Sequence, residues 1–343
     1  MKNKKPHISL TNQSKIYIYC QANLRTGGPE ALHQLRYYME MCGLNAYIVY
    51  TGIKEGILPT PDRYLKYFTE KKGVATLDEI EDVEENCVIV SESQTCELRK
   101  VKYAQKVIWW LSVVNRDTNY FDRVFNLKTR LKRFYLCHAF WRPYVRPYPR
   151  DKAINICASK FAYEYVTKTL GLPAFYMIEP ISKEFLDRGV IQENSTIREN
   201  SVAYNPSKPS KIMDKLLNRK DINFIPIKNM TPEEISDLFR KVKLYVDFGN
   251  FPGPERLPKE AVYNGANILV AYKNAAKNDF DIAIPEQYKI KDYNNEELVV
   301  KLIKEMLTNY DKQYNDFEKF RVQIDKLESN FIVAIKTIFN QNG

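Results

Sequence analysis

Apolar runs alternate with amphipathic segments along the first half of the chain. The apolar runs predict strands, which we place at 15–20, 45–50, 87–90, 106–110, 154–158 and 174–178. Segments between them have the residue pattern of helices, which we place at 30–41, 95–104 and 160–170. Because strands that alternate with helices form parallel sheets with crossover connections, this pattern predicts an α/β domain.

A second series of the same kind begins at Ser201. Its later strands are predicted at 223–227, 242–246 and 267–270, and its helices at 212–217, 231–242 and from 258 onward. Thr231-Pro-Glu-Glu offers a threonine cap, an early proline and first-turn acids, and Asn294-Asn-Glu-Glu gives a second helix start. The last forty residues have a helical pattern, and their apolar stripe consists of Phe331, Ile335, Ile338 and Phe339.

The length of the chain and one polar segment divide this pattern into two domains. A chain of 343 residues exceeds one ordinary core, and the segment 187–200 carries the turn residues of a linker. We predict domains at 1–190 and 191–325, followed by a C-terminal helix at 326–343. No run of eighteen apolar residues occurs, so we expect no membrane-spanning helix.

Composition narrows the class of protein further. A hydrophobic fraction of 44% excludes a disordered chain. No apolar segment precedes Lys15, so we expect no secretory signal and a cytoplasmic location. The six cysteines and three histidines lack the paired spacings of zinc sites or disulfide frameworks, and we expect neither a metal site nor a cofactor.

A formal net charge of +10 predicts an anionic partner, although a lysine-rich composition would produce the same balance. Eight basic residues interleave with aromatic residues between 127 and 152. This basic segment suits an anionic membrane surface, an acidic glycan or single-stranded nucleic acid. It could also be a basic loop that wraps around the first domain.

The clearest candidate site begins where the strand at 242–246 ends. Asp247-Phe-Gly-Asn-Phe-Pro-Gly-Pro-Glu-Arg forms an irregular loop that leads into a helix predicted to open at Pro258. A strand end, a loop and a helix N-terminus together favour an anion, because unpaired backbone N–H groups and the helix dipole point toward it. Arg256 could bind a phosphate with two hydrogen bonds.

This segment, with its Glu260-Ala…Gly context, resembles the donor-binding element of GT-B glycosyltransferases of family four. The resemblance implies two Rossmann-like domains that face each other across a cleft, with a C-terminal helix that crosses back to brace the first domain. It also implies a nucleotide-sugar substrate and no bound metal. The donor-binding residues that it implies in the second domain are Lys208, Lys211, Asp247, Arg256, Leu257 and Glu260.

The resemblance extends to the first domain through the loop Leu24-Arg-Thr-Gly-Gly-Pro-Glu. It implies that Gly27 and Gly28 approach the donor and that Glu30 is a polar contact on the acceptor side, although a tight turn before a helix would look the same. Further acceptor-side contacts are predicted at Ser112, Asn115 and Trp141.

Two departures from the family pattern affect the catalytic residues. The first of the family's two paired glutamates falls on Pro252, so Glu255 is assigned in its place. The family's histidine near the reacting sugar is replaced by Leu111 and Ser112, so His138 becomes the candidate catalytic histidine.

These observations predict a cytoplasmic, peripherally membrane-associated glycosyltransferase of surface polysaccharide synthesis. Its acceptor would be a glycan or a lipid-linked glycan, and nucleic acid is not an expected partner. The alternatives are a sugar-nucleotide epimerase of similar fold, a nucleic-acid-binding protein that uses the basic segment at 127–152, and a non-catalytic relative.

Overall fold

The computed structural model describes residues 7–69, 73–113, 148–187, 198–208 and 210–339. The chain forms two compact units, which we call unit 1 (Met1–Glu179 with Ser329–Gly343) and unit 2 (Pro180–Glu328). The division at Glu179 lies upstream of the boundary placed at 190/191 from the sequence. In the described part of the chain, no helix has the length and apolar character needed to cross a membrane.

Unit 1 contains a parallel sheet of seven strands in the order β3-β2-β1-β4-β5-β6-β7. The strands are β1 Lys15–Gln21, β2 Asn45–Thr51, β3 Val74–Ala75, β4 Cys87–Ser91, β5 Gln105–Trp110, β6 Ile154–Cys157 and β7 Ala174–Tyr176. The six predicted strands are confirmed to within two residues at each end, and β3 was not predicted. Its two residues are too few to show a periodic pattern.

The helices of unit 1 differ from their predictions at three places. Helix α1 (Gly27–Met41) begins three residues before the predicted start, so the two glycines assigned to a loop lie in its first turn. The segment predicted as a helix at 95–104 forms 3₁₀ turns over Glu92–Lys100. The helix predicted at 160–170 is α-helical only over Lys160–Glu164 (α2) and continues as a π-helix over Tyr165–Thr169.

Unit 2 contains a parallel sheet of five strands in the order β12-β11-β10-β8-β9. The strands are β8 Glu199–Tyr204, β9 Asn223–Pro226, β10 Val242–Asp247, β11 Asn267–Ala271 and β12 Lys289–Ile290. Strand β10 lies at the centre, between β8 and β11. The carboxyl end of β10 therefore adjoins the carboxyl ends of both neighbours.

The helices of unit 2 follow the predicted start signals closely. They are α3 Lys183–Asp187, α4 Lys211–Leu216, α5 Pro232–Lys241, α6 Arg256–Tyr263, α7 Glu296–Thr308, α8 Tyr310–Gln313 and α9 Glu318–Asp325. Thr231 caps α5 in a reciprocal capping box with Glu234, as predicted. The Asn295 side chain accepts from the Leu298 N–H at 3.2 Å at the start of α7.

Gly265 ends α6 in the left-handed region, with φ at 88°. A Cβ at this position would lie 2.2 Å from Nη2 of Arg198, so the backbone angle and the contact both require glycine. The Arg198 guanidinium donates to the carbonyls of Phe239, Val242 and Asn264. One side chain thus satisfies carbonyls at the ends of two helices.

The last helix, α10 (Leu327–Ile338), enters unit 1 at Ser329. Phe331, Ile335, Ile338 and Phe339 are buried in the main core of unit 1, and the predicted apolar stripe is therefore confirmed. The ring of Phe331 stacks on Trp109 at 6.1 Å and meets Tyr38 edge-on at 5.5 Å. The predicted brace of the first domain by the C-terminal helix is confirmed.

Candidate functional site

The charged cluster of unit 2 lies at the carboxyl edge of its sheet. Asp247 is the last residue of β10, and Lys208 follows the neighbouring strand β8. The Lys208 ammonium donates to Asp247 Oδ2 at 2.9 Å and forms an ion pair with Glu255. It also lies 5.1 Å from the centre of the Phe251 ring. Two carboxylates and one aromatic face therefore surround a single ammonium group.

Asp247 fixes the position of Lys208 through its own buried hydrogen bonds. Its side chain is 1% exposed. Its Oδ2 also accepts from the Tyr245 hydroxyl at 3.2 Å, and its Oδ1 accepts from the Gly249 N–H at 3.0 Å. The structure therefore places the predicted donor-binding Asp247 beneath Lys208, where it fixes both the lysine and the start of the loop.

The electrostatics of the cluster follow from one cation shared by two anions. Burial opposes the charge on Lys208, but Glu255 and Asp247 outweigh burial and raise the pKa of the lysine. Burial raises the pKa of Glu255, and Asp247 adds to this increase against the attraction of Lys208. Lys208 therefore stays protonated, and Glu255 is neutralised more easily than a free glutamate.

Helix α6 carries the other donor-side candidates. The helix begins at Arg256, two residues before the predicted start, and Glu255 occupies its N-cap position without a side-chain capping bond. The Arg256 guanidinium donates to the Pro180 carbonyl at 3.4 Å, and its Nε lies 3.8 Å from Glu260 Oε1. Arg256 and Glu260 are thus adjacent, one turn apart, at the N-terminal end of α6.

Two further predicted donor-side residues lie in the first turns of helices. Lys211 is the first residue of α4 and is exposed, and Leu257 is a half-buried residue of the first turn of α6. The contacts described above bring together Lys208, Asp247 and Glu255 in one group and Arg256 with Glu260 in another.

The carboxyl edge of the sheet in unit 1 presents a second group of candidates. Gly27 and Gly28 lie in the first turn of α1, and a Cβ on Gly28 would make an ordinary contact with Leu111 Cδ1 at 3.9 Å. Leu111 and the buried Ser112 follow β5. The glycine segment predicted to approach the donor and the segment of Ser112 predicted to line the acceptor side are therefore close together.

Glu92 is a functional candidate that the sequence pattern did not identify. It follows β4, is 4% exposed and accepts from the Leu111 N–H at 3.0 Å; the Ser112 N–H bonds to it as well. Burial raises the pKa of this carboxyl to about 7, although the backbone N–H groups favour its ionised form. The sequence feature that could have identified Glu92 is a single acidic residue directly after a buried strand.

Glu30 is engaged by side chains of unit 1. Its buried carboxylate accepts from Arg63 Nη2 at 2.8 Å and from the Tyr67 hydroxyl at 3.1 Å, with Lys66 Nζ at 3.9 Å. The predicted acceptor-side residues Asn115 and Trp141, and the predicted catalytic His138, lie outside the described residues, as does most of the basic segment. Among residues that the structure does describe, no group of three or more His, Cys, Asp or Glu side chains could hold a metal ion.

The raised pKa of Glu92 gives a pH dependence of stability. The carboxyl titrates near 4.5 in the unfolded chain and near 7 in the fold, so the folded state binds more protons between these values. Its contribution to stability is therefore greatest below pH 4.5 and is lost as the pH rises to about 7. We expect Glu92→Gln to reduce the fall in Tm that the wild type shows between pH 5 and pH 8.

The measurement is a thermal-unfolding series at several pH values for wild type, Glu92→Gln and the control Glu84→Gln, whose carboxyl is exposed. The quantity to compare is the difference in Tm between wild type and variant at each pH. Burial lowers the pKa of His33 to about 4, so this histidine destabilises the protein at acid pH in both of them. Parallel curves for wild type and Glu92→Gln would contradict the prediction.

Comparisons with known proteins identify the fold. No family model matches the chain, and no curated protein matches it in sequence. A glycosyltransferase from Rickettsia africae ESF-5 superposes with a TM-score of 0.56 at 10% identity, over 97% of this chain and 100% of that one. WaaG, a glycosyltransferase involved in lipopolysaccharide biosynthesis, superposes at 0.57 and 11% identity, over 95% of this chain and 100% of its own.

A third match is T4 phage BGT in complex with UDP and Mn²⁺, with a TM-score of 0.54 and 11% identity over 95% of this chain and 99% of that one. These matches extend over nearly the whole of each chain. The protein therefore has the GT-B fold of glycosyltransferases, built from two Rossmann-like α/β units, as the sequence predicted.

Proposed function

We propose that this protein transfers a sugar from a nucleotide-sugar donor to a glycan or lipid-linked glycan acceptor, in the synthesis of capsule, lipopolysaccharide or a related polysaccharide. One observation carries the proposal. Lys208, Arg256 and Glu260 lie at the carboxyl edge of the sheet and the adjoining helix start, where an α/β fold binds its ligand. The GT-B fold shared with WaaG supports the same reaction class.

The chemistry of a nucleotide sugar suits these side chains. As the bond to the sugar breaks, the departing nucleoside diphosphate gains negative charge. A protonated lysine, a guanidinium and the N-terminal end of α6 can offset that charge, and Glu260 can accept from the ribose hydroxyls. Catalysis would then depend mainly on positioning and on stabilisation of the leaving group.

The proposed reaction uses these cations in place of a bound metal. T4 phage BGT forms a complex with UDP and Mn²⁺, so the binding test for this protein is run both without and with Mn²⁺. We propose Gly28 as a donor contact and Ser112 as an acceptor contact, with Asn115 and Trp141 as further acceptor-side candidates and His138 as the candidate catalytic histidine. A cytoplasmic location at the inner membrane surface, through the basic segment at 127–152, belongs to the same proposal.

The test is ligand binding by thermal shift and calorimetry with UDP, GDP, CMP, dTDP and their common sugars, with EDTA and separately with Mn²⁺. One nucleotide family should stabilise the protein, by about 2.7 kcal/mol at a concentration of 100 Kd. Arg256→Ala and Glu260→Ala should each weaken that Kd by about 10- to 100-fold, which is the usual contribution of a charged hydrogen bond.

The matched control is Lys215→Ala, which removes an exposed charge from α4 of the same unit. Its Kd should equal that of the wild type. If no nucleotide shifts the melting temperature, with or without metal, while oligonucleotides bind tightly and in a salt-sensitive way, the protein binds nucleic acid and the proposal fails.

A further inference from the structure

The Lys208 ammonium already donates hydrogen bonds to side chains of the protein. It has three N–H bonds to donate, and Asp247 and Glu255 take two of them. Its side chain is 23% exposed, and the Phe251 ring covers another side. At most one N–H therefore remains for a phosphate oxygen, which would have to share this ammonium with two carboxylates.

The charge of the cluster also opposes an incoming phosphate. One ammonium and two carboxylates leave a net charge of −1 when all three groups are ionised. A nucleoside diphosphate carries negative charge at its phosphates, so these three groups taken together would repel it, although Arg256 and the N-terminal end of α6 attract it. One of the two carboxylates must leave Lys208 or become neutral before the diphosphate can bind there.

The structure distinguishes the two carboxylates. Asp247 belongs to the central strand, its side chain is 1% exposed, and it keeps bonds to Tyr245 and Gly249 in addition to Lys208. Glu255 lies in the loop before α6, its side chain is 13% exposed, and it provides no capping bond to the helix. Glu255 can therefore move with fewer broken contacts.

We propose that Glu255 is the resident counter-ion of Lys208 in the donor-free protein and that a nucleoside diphosphate binds by replacing it. This inference rests on the proposed function. In it, Glu255 competes with the donor for Lys208 and does not bind the donor. Asp247 stays with Lys208 and positions it for the phosphates. A nucleoside without phosphate would leave the pair of Lys208 and Glu255 in place.

The proposal predicts that removing the competing charge strengthens donor binding. Glu255→Gln keeps the shape of the side chain, and Asp247 still balances Lys208, so the variant should fold. In calorimetric titrations at pH 8, we expect Glu255→Gln to bind UDP about 10-fold more tightly than wild type, while uridine binds both proteins equally. Glu286→Gln, which alters an exposed ion-paired glutamate of the same unit, is the control and should match wild type.

Weaker binding of UDP to Glu255→Gln would show that Glu255 contacts the donor directly and would overturn the proposal. Equal binding would overturn it too.

Inorganic pyrophosphate separates this proposal from the proposed function. If neither UDP nor the other nucleotides bind, but pyrophosphate binds Glu255→Gln more tightly than wild type, the counter-ion role stands and the nucleotide-sugar function fails. If Glu255→Gln does not fold, Glu255→Asp, which shortens the reach to Lys208, should give a smaller increase, and no increase would contradict the proposal.

Discussion

Lys208→Ala is expected to destabilise the protein by about 3–5 kcal/mol, the usual cost of removing one partner from a buried ion pair. The substitution leaves Asp247 and Glu255 close together without their cation, and Asp247 is 1% exposed. The loss should be larger at pH 8 than at pH 5, because burial raises the pKa of Glu255 to about 7 and protons neutralise this carboxylate at the lower pH. Urea unfolding at both pH values measures it.

The control for Lys208→Ala is Lys215→Ala, since both remove one lysine from the segment between β8 and β9. Lys215 is exposed, so its substitution should change the free energy of unfolding by no more than about 0.5 kcal/mol. Lys208→Met combined with Asp247→Asn and Glu255→Gln, which removes all three charges, should recover part of the loss. Equal stability of Lys208→Ala and Lys215→Ala would show that the cluster is not a buried ion pair in solution.

Phe331→Ala is expected to cost a similar amount, about 3–5 kcal/mol, because it leaves a cavity in the core of unit 1. The ring is fully buried against Trp109 and Tyr38. Val333→Ala on the same helix is the control, since Val333 is 62% exposed and its truncation should have little effect. Urea unfolding followed by tryptophan fluorescence measures both, and a loss below about 1 kcal/mol for Phe331→Ala would contradict the core packing described here.

Periodicity in the sequence predicted the strands well, and the errors at helix starts have one physical cause. The start of α1 was predicted at Glu30, directly after a proline, but the helix begins at Gly27. The start of α6 was predicted at Pro258, but the helix begins at Arg256. The first N–H groups of a helix have no partner within it, so a proline in the first turn removes no hydrogen bond. Glycine and proline therefore mark a loop less reliably near a helix start than elsewhere.

The residues of the donor side were predictable one at a time, but their partners were not. Lys208, Asp247 and Glu255 each stood out by position or by family resemblance. Their mutual ion pairs join residues 39 and 47 positions apart, and no local pattern in the sequence encodes such pairs. Glu92 escaped notice for the same reason, because its partner Leu111 lies 19 residues further along.

Unit 1 is built from two separate segments of the chain, Met1–Glu179 and Ser329–Gly343, and this has a consequence for its synthesis. A ribosome completes the stretch up to Glu179, then synthesises all of Pro180–Glu328, and only afterwards reaches Phe331. At about 5–20 residues per second, those 149 residues (328 − 179) take roughly 7–30 s. During that interval Trp109 and Tyr38 lack the ring that covers them in the finished fold. The unit that is synthesised first is therefore completed last.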